Sequence, residues 1–140
     1  MKSLNPYLMF PGHCEEALQF YVQAFDGEIE MLSRFGDGPM EIPEVYHQKV
    51  MHATLRLGEV VLQACDHLEG MGQTPYQQGS HVQLSATFQT LEKLEAAWAQ
   101  LTEGGKVSME LQDTFWGSRF GMVQDRYGTA WMMSCDLPKA

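Results

Sequence analysis

Cysteine is scarce in this 140-residue chain: Cys14, Cys65 and Cys135 are odd in number, far apart and without C-x-x-C spacing. That excludes a disulfide framework or a zinc ribbon and suits a reducing cytosol. Cations are few as well. Nine Lys and Arg, scattered singly, stand against 18 Asp and Glu for a net charge of -9. A nucleic-acid partner needs clustered cations, so none is expected. No apolar run reaches the roughly 18 residues of a membrane span, and the start MKSLNPYLMFPGH lacks the long h-region of a signal peptide. The expectation is a cytoplasmic protein with neither membrane nor nucleic acid as partner. Motifs are missing too: there is no His-Glu-x-x-His, no G-x-x-x-x-G-K, no G-x-G-x-x-G, and no Gly-rich strand-to-helix turn for S-adenosylmethionine.

What is present suffices for a folded core, since 44% of the residues are hydrophobic and a chain of this length buries about two thirds of its unfolded surface. Cys14, Ala17, Leu18, Tyr21, Val22 and Phe25 recur at helical spacing after Pro11-Gly12. Glu15 and Glu16 occupy the first turn, and Gly27 is expected as a left-handed C-cap. A second helix has the same grammar, with Thr90 as N-cap, a stripe of Leu91, Leu94, Ala97, Trp98 and Leu101, and a stop at Gly104-Gly105.

Strand-like segments flank the two helices in the same order. Asn5 to Phe10 precedes the first, and Glu28 to Phe35, Gln48 to Leu57 and Val60 to Cys65 follow it. His81 to Phe88 precedes the second, and Lys106 to Gln112, Ser118 to Gln124 and Thr129 to Cys135 follow it. The pattern predicts an α+β fold of two βαβββ modules, with paired curved mixed sheets around a concave pocket. The domain spans 1–140, with a first module at 3–66, a linker at 67–80 and a second module at 81–137. Superposing the helical stripes gives an offset of 77, whereas superposing the final hairpins on Gly58 and Gly128 gives 70 and aligns Gln63-Ala64-Cys65-Asp66 with Met133-Ser134-Cys135-Asp136. The longer loop from Gly36 to Tyr46 accounts for the surplus.

Three stretches, LNPYLMFPGHCEEALQFYVQAFDGEI, VMHATLRLGEVVLQACD and FWGSRFGMVQDRYGTAW, with the central helix, cover nearly the whole chain. They resemble the PhnB-like branch of the vicinal oxygen chelate superfamily, the glyoxalase and bleomycin-resistance fold. The element Trp116-Gly117-x-Arg119, followed by Gly121, Asp125, Gly128 and Trp131, carries the resemblance most specifically. Arg126 departs from it, because the family's turn commonly has proline there. The resemblance implies a homodimer of paired modules. In the enzymatic members it also implies a divalent ion, held by His, Glu or Gln, that stabilises an enolate-like charge.

Inward positions of the terminal strands offer little for such an ion: Gln63, then Gln83 or His81, then Met132 or Met133 where an enzyme would place glutamate, with Tyr7 and Met9 offering no ordinary ligand. Hard cations prefer anionic oxygen. No cofactor is therefore expected. A divalent metal, if bound, would take His52, Gln63 and Gln83. The pocket candidates are His52, Gln63, Gln83, Trp116, Arg119 and Met132. His52 lies mid-strand and reads either as a functional imidazole or as a barrel-wall histidine. Arg119 would grip a carboxylate or phosphonate, or else pair with Asp125, Asp113 or Glu110. Trp116 would stack on a ligand or pack at an edge, and the ten methionines line a pocket or fill a core. The chain accordingly reads as a small-molecule-binding protein. The rivals are a metal-dependent lyase or dioxygenase, and a structural protein with a filled barrel.

Overall fold

The computed structural model describes residues 1–71 and 74–139. The chain divides into two compact units, Met1–Gln77 and Gln78–Ala140. The first contains β1 (Tyr7–Phe10), α1 (Cys14–Phe25), β2 (Glu28–Arg34), β3 (Val50–Leu57) and β4 (Val60–Asp66). The second contains β5 (Leu84–Phe88), α2 (Leu91–Leu101), β6 (Lys106–Asp113), β7 (Ser118–Gln124) and β8 (Ala130–Asp136). Each is a four-stranded mixed sheet, ordered β1-β4-β3-β2 and β5-β8-β7-β6, in which only the first pair of strands is parallel. The repeated βαβββ order is thus present in both halves.

One helix covers one face of each sheet. In the first unit Cys14, Ala17, Leu18, Tyr21 and Ala24 of α1 are buried, as are Phe10, Ala53, Leu55, Leu62 and Ala64 on the strands beneath. Each large aliphatic side chain so buried contributes about 1.5–3 kcal/mol relative to exposure. The second unit does the same with Leu94, Ala97 and Leu101 over Val123, Trp131, Met133 and Cys135.

The helix ends show why glycine follows both. Thr90 caps α2 as expected, its hydroxyl accepting the Lys93 N–H at 3.1 Å. At the end of α1, however, the left-handed residue is Asp26 (φ 55°), and the Gly27 N–H donates back to the Val22 carbonyl at 3.0 Å. The cap is a Schellman turn with aspartate at its left-handed position, a conformation that residue tolerates. Gly27 is required by space, since a Cβ there would lie 2.6 Å from the Arg56 carbonyl oxygen. Gly105 repeats this in the second unit, where a Cβ would lie 2.5 Å from the Gln124 carbonyl oxygen.

The hairpin alignment at an offset of 70 needs correction. On β4 the residues turned to the helix are Leu62, Ala64 and Asp66, whereas on β8 they are Trp131, Met133 and Cys135. An even offset superposes opposite faces, because a one-residue slip inverts a strand. Gly58 sits in a two-residue turn and Gly128 in a longer one, between Gln124 and Ala130. The two glycines are therefore a false anchor. Cys65 and Cys135 are not equivalent: Cys135 faces α2, and Cys65 faces away from α1 beside Met9.

Part of the expected linker folds onto the first unit. The His67 N–H donates to the Phe10 carbonyl at 2.6 Å, Leu68 is buried, and the Tyr76 hydroxyl donates to the Met9 carbonyl at 3.1 Å. Gly72 and Gln73 of that linker lie outside the described residues.

Candidate functional site

Strand alternation sorts the first sheet into two faces. Away from α1 point Tyr7 and Met9 of β1, Gln63 and Cys65 of β4, His52 and Thr54 of β3, and Met31 and Ser33 of β2, as the register pairs Tyr7 with Gln63, Met9 with Cys65, Thr54 with Gln63 and Met31, and Ser33 with His52. This face is uncharged at its centre. Arg56 also belongs to it, four residues beyond His52, or about 13 Å along the strand. There it forms a 3.0 Å ion pair with Glu30.

The Tyr7 hydroxyl and His52 Nδ1 lie 3.0 Å apart, with ring centroids 5.6 Å apart. Tyr7 is 44% exposed, and its hydroxyl is also close enough to the Cys65 thiol to interact with it. Burial first, and then the bond to Cys65, push the Tyr7 phenol up to about 12. Burial raises the Cys65 thiol, against the lowering effect of the Tyr7 bond. Burial and the neighbouring Asp66 carboxylate raise Cys14 further. None of the three cysteines is exposed. Cys14 and Cys65 are both biased towards the thiol, the form that does not act as a nucleophile.

An absorbance titration is expected to show one of the five tyrosines ionising near pH 12, a step missing from Tyr7→Phe. The folded value exceeds the ordinary 10.0, so the stability linked to the neutral phenol is complete below pH 10 and is lost as pH climbs towards 12. An unchanged highest-pH step in Tyr7→Phe would contradict this placement.

The corresponding face of the second sheet carries Ser85 and Thr87, Met132 and Ser134, and Phe120 and Met122. Trp116 stands beside it on the β6–β7 turn, 58% exposed, in edge contact with Phe120 at 5.9 Å and Phe115 at 5.1 Å.

Of the candidates that the sequence suggests, His52 and Gln63 share one face of the first unit. Met132 lies on the open face of the second unit. Gln83 is exposed and precedes β5, so the strand contributes Ser85 and Thr87 in place of Gln83 or His81. Arg119 pairs with Cys135 on the helix side of its sheet, away from the face that carries Met132. There its guanidinium bonds Asp113 at 2.7 Å and Glu95 of α2 at 2.6 Å. Both carboxylates hold it as a structural tie between helix and sheet. Tyr7 is the residue that sequence reasoning passes over. Its signal is its place on the opening strand, opposite Gln63 in register, which a search for metal donors does not weigh.

Two βαβββ units, each a mixed four-stranded sheet with one helix on one face, define a glyoxalase and bleomycin-resistance type of fold. The chain belongs to the Glyoxalase/Bleomycin resistance protein/Dioxygenase superfamily, whose sequence profile matches residues 3–133. It is 28% identical to protein YjdN of Escherichia coli strain K12, over 94% of this chain and 93% of that one. Protein PA1353 of Pseudomonas aeruginosa superposes with a TM-score of 0.85 at 38% identity, covering 97% of this chain and 100% of that one. A PhnB protein of Bacillus cereus, provisionally named a 3-demethylubiquinone-9 3-methyltransferase, superposes at 0.75 with 28% identity, covering 96% and 99%.

Divalent metals are frequent in this superfamily, so the donor set bears testing. Around His52 it consists of a phenol, an amide, a thiol, a thioether and hydroxyls. Among the described residues no three His, Cys, Asp or Glu side chains come together as a cradle. Hard divalent ions take anionic oxygen, and the residues on this face do not fit one.

Proposed function

We propose that this protein binds a small organic molecule on the open face of its first sheet, around the Tyr7–His52 hydrogen bond, and that it acts as a cytoplasmic homodimer. The observation that carries the reading is the composition of that face: half-exposed Met9 and Met31 flank neutral hydrogen-bonding groups on a rigid sheet. Adaptable apolar surface with a few convergent polar groups is what small-molecule sites are made of. The methyltransferase name of the Bacillus cereus protein is not carried over, since the Gly-rich turn that would cradle S-adenosylmethionine is missing from this sequence.

Native mass spectrometry of protein purified without chelator, combined with metal analysis, tests the reading. The expected result is an organic adduct that is reduced at least about tenfold in His52→Ala, the equivalent of 1.4 kcal/mol. Stoichiometric Mn, Ni or Fe that disappears in His52→Ala would overturn it in favour of a metal-dependent enzyme.

A further inference from the structure

The strongest clue to the ligand's chemistry is where the cations of the first unit are held. Arg34 gives its fork to Glu15, through two bonds of 2.8 and 2.9 Å, and a further 2.8 Å bond to the Gln48 carbonyl. Lys49 Nζ donates to the Gly12 carbonyl at 2.7 Å, and Arg56 is tied to Glu30. Among the described residues of the four strands and their flanks, Arg34, Lys49 and Arg56 thus have their charges committed away from the centre of the face around His52, on a protein whose net charge is -9. An anion brought there would lose hydration without gaining a partner, and the overall field would oppose its approach.

A neutral acceptor meets the opposite situation. The phenol of Tyr7 keeps its proton at neutral pH. With the Tyr7 O–H donating to His52 Nδ1 across their 3.0 Å contact, the histidine's remaining proton stays on Nε2. The imidazole is then a fixed N–H donor, and Tyr7 is the positioning residue that sets its tautomer. Met9 and Met31 supply polarisable, adaptable surface for the ligand's body.

We infer that the first unit's open face selects an uncharged, polarisable molecule whose carbonyl or hydroxyl oxygen accepts a hydrogen bond from His52, and discriminates against carboxylates and phosphonates of the same shape. This rests on the ligand-binding reading above and adds the substrate class to it.

The test uses matched probes, acetophenone against benzoate and benzyl alcohol against benzylphosphonate, titrated at pH 7.5 into full-length protein with 13C-labelled methionine methyls. The Met9 and Met31 methyl signals are expected to saturate with the neutral member of each pair at a concentration at least about tenfold lower than with the anion, a difference of 1.4 kcal/mol. Loss of that preference is expected in His52→Ala. Tyr7→Phe, which keeps the ring and deletes only the hydroxyl, should weaken acetophenone binding while leaving the remaining methyl spectrum in place as proof of folding. If benzoate or benzylphosphonate binds as tightly as its partner, the charge selection is wrong and the binding function stands. If neither member of either pair moves the Met9 and Met31 signals, the binding function itself falls.

Discussion

Asp66→Ala is expected to cost about 3–5 kcal/mol of stability, since each of its two charge-assisted hydrogen bonds contributes about 1.5–3 kcal/mol and their loss strands two buried donors. Asp66 is 3% exposed. Its Oδ1 accepts the Cys14 N–H at 2.8 Å and its Oδ2 accepts the Val50 N–H at 2.8 Å. The first bond matters because α1 has no local cap: His13 holds the N-cap position without a side-chain bond to the helix. A carboxylate delivered by the end of β4 therefore serves the exposed amides and the positive end of the helix. The second bond ties the start of β3 to the same side chain. One residue thus joins three elements that carry the candidate site, with Cys65 its immediate neighbour on the other face. Against a total of about 5–15 kcal/mol for a typical domain, the variant should unfold at much lower urea, and α1 should lose helical circular dichroism first. Asp66→Asn should lose less, because its amide retains one acceptor. A change in Asp66→Ala below about 1 kcal/mol would show that solvent replaces the carboxylate, contrary to its burial.

The elements are legible in the sequence to within a few residues because helical periodicity and strand alternation are local signals. Absolute facing is less legible. Alternation along SRFGMVQ shows that Arg119 and Phe120 point opposite ways, but not which of them meets the helix. That is decided by Glu95 on α2 and by Gly121, where an added Cβ would lie 2.6 Å from the Trp98 ring. The same limit produces the even hairpin offset. Cys-Asp dipeptides and turn glycines look alike in both halves, and only the burial of Asp66 and Cys135 reveals the slip. At the site, His52 is visible as a polar residue inside an apolar strand. Tyr7 is not, because its bond to His52 spans 45 residues and reaches over an intervening strand.

The second large effect is expected at Asp125, and it explains why the most specific stretch of the family resemblance reads as it does. Asp125 is 3% exposed. Its Oδ1 accepts the N–H groups of Tyr127 and Thr129 at 2.8 and 3.1 Å, and its Oδ2 accepts the Trp131 indole N–H at 2.8 Å. The carboxylate thus builds the β7–β8 turn and anchors the buried indole on the helix side of β8. Arg126 tolerates the position that commonly holds proline, since the turn is fixed by these bonds and by Gly128 at φ 93°. Asp125→Ala removes three acceptor contacts to a charged group and is expected to cost about 3–5 kcal/mol. The turn bonds and the indole bond are separable. Trp131→Phe keeps an aromatic ring but removes the donor, so a double-mutant cycle between the two should return a coupling of about 1.5–3 kcal/mol for the indole bond alone. Additive losses in urea unfolding would mean that Asp125 acts only on the turn, and that Trp131 is held by packing.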